Sequence, residues 1–159
     1  MKELYGVVVG VVVEAGIIIL LKDLESHSER VDDVTASEVL GIASCLGLDQ
    51  SMVAELCRFE GDVCVSAKLY GFDIVSASSD FFVLLRVVKC GGGVDVELCF
   101  DDSVFSDVDK VMLLLQKYLK EISDRVRMKE YYGGMEPAKD LGTRYFTGEM
   151  LGPLVTRFR

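Results

Sequence analysis

Few residues in the chain have the chemistry of a catalytic or metal-binding site. His27 is the single histidine, and it lies in a polar stretch at residues 25–29. The five cysteines contain no C-x-x-C pair: they are Cys45, Cys57, Cys64, Cys90 and Cys99. Zinc sites need paired Cys/His spacings, and a cysteine or serine nucleophile needs a neighbouring base. This pattern predicts reduced thiols in a reducing compartment, the cytoplasm, and it predicts no metal or cofactor.

Glycine and acidic clusters offer no better catalytic candidate. The glycine triplet at 91–93 lies between two strand-like segments, whereas phosphate loops and dinucleotide sites place their glycines before a helix, so it is interpreted as a hairpin turn. The acid pairs at 32–33 and 101–102 are typical surface residues of a chain with 26 acidic and 17 basic residues. No catalytic residue is predicted. An enzyme of unknown type stays an alternative, with His27 as its candidate base.

Composition limits the classes of partner. The formal net charge of −9 disfavours nucleic acid, because a duplex binder needs a Lys/Arg surface that displaces counterions from phosphate. The apolar run at 4–21 is nearly long enough to cross a bilayer, but Glu14 interrupts it and its Val and Ile residues favour strands. We therefore expect a protein of about one domain that binds no nucleic acid and does not insert into a membrane.

The elements that must position any site begin with a predicted hairpin. Strands are predicted over 4–13 and 17–21, joined at residues 14–16, and the polar segment 22–34 is predicted to be an exposed loop. A capping box, T-A-S-E, then predicts a helix that begins at Thr35 and runs to about Cys57. Gly47 and Asp49 leave open whether this segment is one helix or is broken or bent into two pieces.

The second half of the chain is strand-rich. Strands are predicted over 62–70, 72–77, 81–89 and 94–100, and a helix is predicted from Ser106 to about residue 127. The fold class is therefore α+β: a mostly antiparallel sheet of five to six strands with two main helices, in the order strand-strand-helix-strand-strand-strand-(strand)-helix. Residues 1–127 are predicted to form this domain. Residues 128–159 are predicted to be an irregular Gly- and aromatic-rich tail, with one short helix near 148–155.

Two surfaces are predicted to contact other proteins. The helix over 35–57 carries a stripe of mostly small residues, which allows close approach of another backbone: Ser37, Gly41, Ser44, Leu48 and Ser51. The alternative is that this stripe packs on the chain's own sheet. Four aromatic residues of the tail are predicted to pack on the domain or on a partner: Tyr131, Tyr132, Tyr145 and Phe146.

Three segments resemble the roadblock/dynein light chain family and the related longin and profilin-like platforms. The hairpin at 7–21 is similar to the opening hairpin of that family, the helix at 37–57 to its central helix, and the strands at 62–89 to its meander. The resemblance implies a homodimer, or a pair with a related subunit, formed through the central helix and the first meander strand. Cys64 and Ser66 would lie on the joining edge. It also implies a platform for a small Ras-like GTPase or an adaptor complex.

The sequence therefore predicts a non-catalytic, protein-binding scaffold, dimeric and cytoplasmic, that tethers or regulates a partner protein. Acidity favours solubility and a basic partner surface. One alternative is an acidic chaperone or assembly factor that holds a client segment on its sheet.

Overall fold

Eight antiparallel strands form one sheet in the computed structural model, which describes residues 3–11, 13–38 and 47–157. The strands are β1 (Leu4–Val11), β2 (Arg30–Ala36), β3 (Val63–Tyr70), β4 (Phe82–Cys90), β5 (Gly93–Asp101), β6 (Met128–Met135), β7 (Arg144–Thr147) and β8 (Met150–Leu151). The helices in these residues are α1 (Glu14–Ser26), α2 (Gln50–Arg58), α3 (Val108–Val126) and α4 (Pro153–Arg157). Across the sheet the order is β2-β3-β4-β5-β1-β6-β7-β8.

The valine-rich strand β1 lies inside the sheet. It pairs with β5 on one side and with β6 on the other, so both of its backbone edges are hydrogen-bonded. Its side chains alternate between the two faces of the sheet, and Val7 and Val9 are buried in the core. A run of β-branched residues suits this position, because such side chains pack well on a pleated surface.

One face of the sheet is covered by a layer of helices. The long helix α3 packs against α1, β6 and β7, and α1 also contacts α2 and β1. The buried residues of α3 recur every three or four positions, as an amphipathic helix requires: Val111, Met112, Leu115, Tyr118, Leu119, Ile122 and Val126. Asp107 caps the helix, and its carboxylate accepts a hydrogen bond of 3.1 Å from the Lys110 amide.

A polar cluster joins the two largest helices. The Tyr118 hydroxyl of α3 donates to the Asp23 carboxylate of α1 at 2.5 Å, and Arg125 contacts the same carboxylate at 3.4 Å. Burial raises the pKa of the Tyr118 hydroxyl, and its hydrogen bond to Asp23 raises it further. His27 lies 2.8 Å from Asp73, which begins a 3-10 turn at Asp73–Val75.

The predicted hairpin at the N-terminus is wrong in its second half. Residues 17–21 belong to helix α1 and not to a strand. The buried residues of this helix have helical spacing: Gly16, Ile17, Leu20, Leu21 and Leu24. The three isoleucines at 17–19 favour a strand by residue type, but packing of α1 against α3 and the sheet favours the helix.

The predicted loop at 22–34 and helix at 35–57 also need correction. Strand β2 takes residues 30–36 and pairs with β3, where the Thr35 hydroxyl lies 3.1 Å from that of Ser66. Thr35 therefore does not cap a helix. Helix α2 begins at Gln50, and the Asp49 carboxylate caps it by accepting a hydrogen bond of 2.9 Å from Met52. The part of the predicted helix at 39–46 lies outside the described residues.

Later elements are closer to expectation. The α+β class and the antiparallel sheet are confirmed, as are the strands predicted over 62–70, 81–89 and 94–100 and the helix from about 106 to 127. The strand predicted over 72–77 is wrong, because the chain forms the 3-10 turn there. The described residues contain eight strands and four helices, more than the five to six strands and two main helices predicted.

The segment after α3 is regular and not an irregular tail. It supplies β6, β7, β8 and α4. The short helix expected near 148–155 is found only at its end, because residues 150–151 form β8 and α4 begins at Pro153. β6 pairs with β1 along the middle of the sheet. The predicted boundary at residue 127 therefore falls between α3 and an interior strand of the same sheet.

Candidate protein-binding face

The sheet has a second face that none of the helices within residues 3–11, 13–38 and 47–157 covers; we call it the open face. Along β3 and β4, buried residues alternate with half-buried ones. The buried set points to the helices, so the half-buried set lies on the open face. A broad surface of this kind is where a folded partner can dock without rearrangement of the core.

A charged row crosses the centre of the open face. Arg86 of β4 is paired with Glu97 of β5 in the strand register, and their side chains form an ion pair of 2.7 Å. The same guanidinium lies 3.6 Å from the Cys99 thiol, which in turn lies 3.9 Å from the Glu136 carboxylate. Burial raises the pKa of the Cys99 thiol to about 11 despite the nearby Arg86. Cys99 is therefore a protonated packing residue at neutral pH and not a nucleophile.

Most cations of this face are engaged by their own chain. Three of them lie over aromatic rings, at 3.9, 4.9 and 3.9 Å from the ring centroids: Arg30 over Tyr70, Lys68 over Phe82 and Arg144 over Tyr132. Arg30 also pairs with Asp32, and Lys68 pairs with Asp33.

Carboxylates crowd the part of the face near the glycines of β1. Burial raises the pKa of the Asp95 carboxyl, and the neighbouring Glu130 charge raises it further. Gly10 lies opposite both residues in the strand register, and a Cβ there would come within 3.3 Å of the Glu130 side chain. Electrostatically, the open face is therefore better suited to a basic partner than to an acidic one.

At one end of the open face lies an apolar cavity of about 350 Å³, which we call the Leu4 pocket. Its lining comes from the start of β1, the start of β4, the end of β5 and the loop before α3: Leu4, Asp80, Phe81, Phe82, Leu84, Cys99, Phe100, Asp101, Ser103 and Val104. Leu4 is 57% exposed and Phe81 is 46% exposed, so the pocket presents apolar surface to solvent. Exposed apolar surface gathered in one cavity is a mark of a binding site.

The surroundings of the Leu4 pocket are negatively charged. Asp80 and Asp101 are in its lining, which includes no Lys or Arg. Burial raises the pKa of the adjacent Tyr5 hydroxyl, and the charges of Asp102 and Glu3 raise it further. Tyr5 stacks on the pocket residue Phe100 at 5.7 Å between ring centroids, so the same negative potential reaches the pocket.

The residues predicted to form a dimer interface do not share one helix. Ser37 follows β2 and accepts a hydrogen bond of 2.9 Å from the Cys64 amide. Leu48 is buried before α2, and Ser51 is exposed in its first turn. Gly41 and Ser44 lie outside the described residues. Cys64 and Ser66 are half-buried residues of β3 on the open face. A contact between these residues and a partner stays a prediction.

The aromatic residues predicted as a tail interface lie in the sheet. Phe146 of β7 is fully buried, and its ring lies 6.2 Å from that of Tyr131 of β6. Tyr145 is also buried and lies 6.3 Å from Tyr5. The Arg144 guanidinium lies over the Tyr132 ring on the open face. These four residues therefore pack on their own domain.

The prediction of an interface missed the Leu4 pocket. A sequence signal was present, since Phe81 follows the Ser78-Ser79-Asp80 turn directly, at a position where apolar side chains are usually avoided. The other walls come from segments far away in the sequence, so their convergence appears only in the folded chain.

Other chemistry finds little support in the described part of the chain. It holds no group of three or more His, Cys, Asp or Glu residues arranged to bind a metal ion. None of its helices combines the length and the hydropathy needed to span a lipid bilayer. His27, the candidate base, is placed between Asp23 and Asp73, where it joins α1 to the 3-10 turn.

Comparison with known proteins identifies the family. A sequence model described as PABL017 Cdi1I immunity protein matches residues 3–150, which is most of the chain. The chain belongs to this family of immunity proteins. No curated protein matches it.

A solved structure agrees with this assignment. The chain is similar, at 39% identity, to a chain in the 1.75 Å crystal structure of the toxic C-terminal tip of CdiA from Pseudomonas aeruginosa in complex with immune protein. The match covers 97% of this chain and 99% of that chain, with a TM-score of 0.87. This structural relative therefore shares both sequence and fold with the chain.

These findings overturn the resemblance to roadblock/dynein light chain and longin proteins. The family is a Cdi1I immunity family, and part of the likeness in element order came from a hairpin whose second strand is helix α1 in the structure. The broader expectation, a protein that acts by binding another protein and not by catalysis, is supported. The comparisons do not support the narrower expectations of a small GTPase partner and a homodimer.

Proposed function

We propose that the chain is an immunity protein that binds the toxic C-terminal tip of a CdiA protein and thereby blocks its toxicity. One observation carries this proposal: over nearly its whole length the chain resembles a protein solved in complex with such a tip. Sequence identity of 39% that extends over 97% of the chain favours a shared mode of action as well as a shared fold.

The described surface is physically suited to this task. An inhibitor of this type needs a folded, preorganised surface and no reacting group, because its effect comes from occupying the toxin. The open face is such a surface, rigid in its strands and rich in carboxylates. The net charge of −9 accelerates encounter with a basic partner. A cytoplasmic site of action, where the thiols stay reduced, remains part of the proposal.

Co-expression tests the proposal most directly. Bacteria that produce the toxic tip of a CdiA protein should stop growing, and they should resume growth when they also produce this chain. The tips to use are that of the P. aeruginosa complex and that of the chain's own organism. The purified chain should form a 1:1 complex with at least one tip, with a Kd below about 1 μM in isothermal titration calorimetry.

A basic protein with about the size and net charge of the toxic tip, but unrelated to it, serves as the control for non-specific attraction. It should show no saturable binding at 150 mM salt, where exposed charges more than about 8 Å apart are screened. The proposal is wrong if neither tip binds the chain and neither growth defect is relieved.

A further inference from the structure

We infer that the Leu4 pocket receives an apolar side chain of the toxin tip, carried on a segment rich in Lys and Arg. This inference rests on the proposed function and adds the contact surface and the chemistry of the segment that fills it.

The first support is the arrangement of exposed apolar surface. Among the exposed large apolar side chains of the described residues, Leu4 and Phe81 line the same cavity, whereas Ile19, Leu141 and Met150 lie outside its lining. The binding energy of protein interfaces concentrates in anchors that fill well-packed pockets, while isolated exposed residues contribute little. The Leu4 pocket is therefore the part of this surface most able to supply affinity.

The second support is that the pocket walls are held in place before any partner arrives. The Phe81 backbone donates to Ser78 at 3.1 Å and accepts from Gly71 at 3.2 Å. The Phe82 ring lies 5.4 Å from the Tyr70 ring and also lies beneath Lys68. A partner side chain would thus enter a formed cavity, and little free energy would be spent on ordering it.

The third support is charge, which selects the occupant. The acids around the pocket are Glu3, Asp80, Asp101 and Asp102. Two cations of the open face contact pocket residues, and each is paired within the chain: Lys68 with Asp33 at 3.0 Å and Arg86 with Glu97 at 2.7 Å. Basic side chains beside an apolar anchor would meet this rim favourably. A second copy of the chain is disfavoured, because each copy carries a net charge of −9 and the two rims would repel each other.

Isothermal titration calorimetry and stopped-flow association with the CdiA tip test the inference. The pocket variants are Leu4→Ala and Phe81→Ala, which remove apolar wall, and Asp80→Lys, which reverses charge on the rim. Each has a matched control outside the pocket lining: Leu141→Ala and Met150→Ala for the exposed apolar residues, and Glu121→Lys on α3 for the charge. Thermal unfolding of every variant should stay close to wild type, since the substituted side chains are exposed.

The expected result is a clear difference between the two sets. Leu4→Ala and Phe81→Ala should each raise Kd roughly tenfold or more, as loss of an anchor contact does, while Leu141→Ala and Met150→Ala stay within about twofold. Asp80→Lys should slow association and weaken its salt dependence more than Glu121→Lys does, although both change the net charge equally.

Three outcomes would overturn the inference. In the first, wild type binds the tip and the pocket variants match their controls, so the pocket alone is excluded and the proposed function stands. In the second, light scattering gives wild type twice the mass of one chain and Leu4→Ala halves it, so the occupant is a second copy. In the third, wild type binds no tip at all, and the proposed function fails together with the inference.

Discussion

Gly16 of helix α1 has no room for a side chain. A Cβ at this position would lie 2.1 Å from the carbonyl oxygen of Val126 and 2.9 Å from a methyl carbon of Val11. The first turn of α1 thus touches the last turn of α3 and the end of β1. Because the nearest atom belongs to the backbone, no side-chain rotation relieves the clash.

Gly16→Ala should therefore lower the free energy of unfolding by about 1–3 kcal/mol, the usual cost of overpacking a core. The gain in helix propensity from alanine, at most about 1 kcal/mol, opposes this loss and does not cancel it. Urea unfolding followed by circular dichroism measures the difference. Gly142→Ala is the matched control, because nothing lies within 4 Å of a Cβ there. Equal stability of the two variants would show that α1 and α3 do not approach each other so closely.

At the scale of elements, the contact between α1 and α3 combines apolar packing with one polar tie. Tyr118 is only 5% exposed, and its hydroxyl donates to Asp23 across the two helices. A hydrogen bond to a charged group contributes about 1.5–3 kcal/mol, more than a neutral one. This hydrogen bond therefore fixes the position of α3 relative to α1 more closely than the apolar stripe of α3 alone would.

Tyr118→Phe should lower the free energy of unfolding by about that amount at pH 7, measured by urea unfolding. The raised pKa of Tyr118 gives this difference a pH dependence. The folded state holds the phenolic proton more tightly than the unfolded state, so the contribution is complete below pH of about 10 and is lost as pH rises further. The stabilities of wild type and variant should then converge.

Tyr131→Phe is the control for this variant, since burial is the main cause of the raised pKa of Tyr131 and no hydrogen bond adds to it. Tyr131→Phe should lower the free energy of unfolding clearly less than Tyr118→Phe does at pH 7. A constant gap between wild type and Tyr118→Phe from pH 7 to pH 11 would contradict the role given to the hydroxyl.

How far each element was predictable depends on how many of its faces are buried. β3 alternates cleanly because one face meets the core and the other lies on the open face, and its period of two is visible in the sequence. α1 contains three consecutive isoleucines, so residue type indicated a strand, and the helical spacing of Gly16, Ile17 and Leu20 was the better signal. The capping-box pattern at Thr35 failed because pairing of β2 with β3 provides backbone partners that a local cap cannot match.

The candidate site was less predictable than the fold for a related reason. A stripe on one helix is visible as a local period, and the predicted interface was built on such a stripe. The Leu4 pocket has no period, because β1, β4, β5 and the loop before α3 each give it only a few residues. Its position follows from the sheet order, which places β1 beside β5 although α1, α2 and three strands separate them in sequence.

For the whole molecule, the sheet order makes the last part of the chain indispensable. β1 lies between β5 and β6, so the first strand in sequence is completed by one that follows α3. β6 and β7 also carry Tyr131, Tyr145 and Phe146 into the core beneath α3. Without them β1 would have an unpaired edge, and α3 would lose part of the surface that it covers.

A chain cut after Arg127 should therefore fail to fold. Loss of a buried aromatic side chain such as Phe146 costs about 3–5 kcal/mol. Three such losses, about 9–15 kcal/mol together, are comparable to the whole free energy of unfolding of a typical domain, about 5–15 kcal/mol. We expect the truncated chain to aggregate, or to lack the cooperative thermal transition of the full chain in circular dichroism. A soluble fragment that unfolds cooperatively would contradict this result.

A cut after Gly152 is the matched control, since it removes only α4 and the few residues beyond it. This shorter chain should fold with a lower unfolding temperature, because Leu154 and Val155 are buried while all eight described strands remain. The pair of truncations also determines how a binding experiment is read. If the cut after Arg127 abolishes binding to the CdiA tip, that loss reports an incomplete sheet. A docking surface on α4 and the residues beyond it would be indicated only if the cut after Gly152, with its sheet intact, also lost binding.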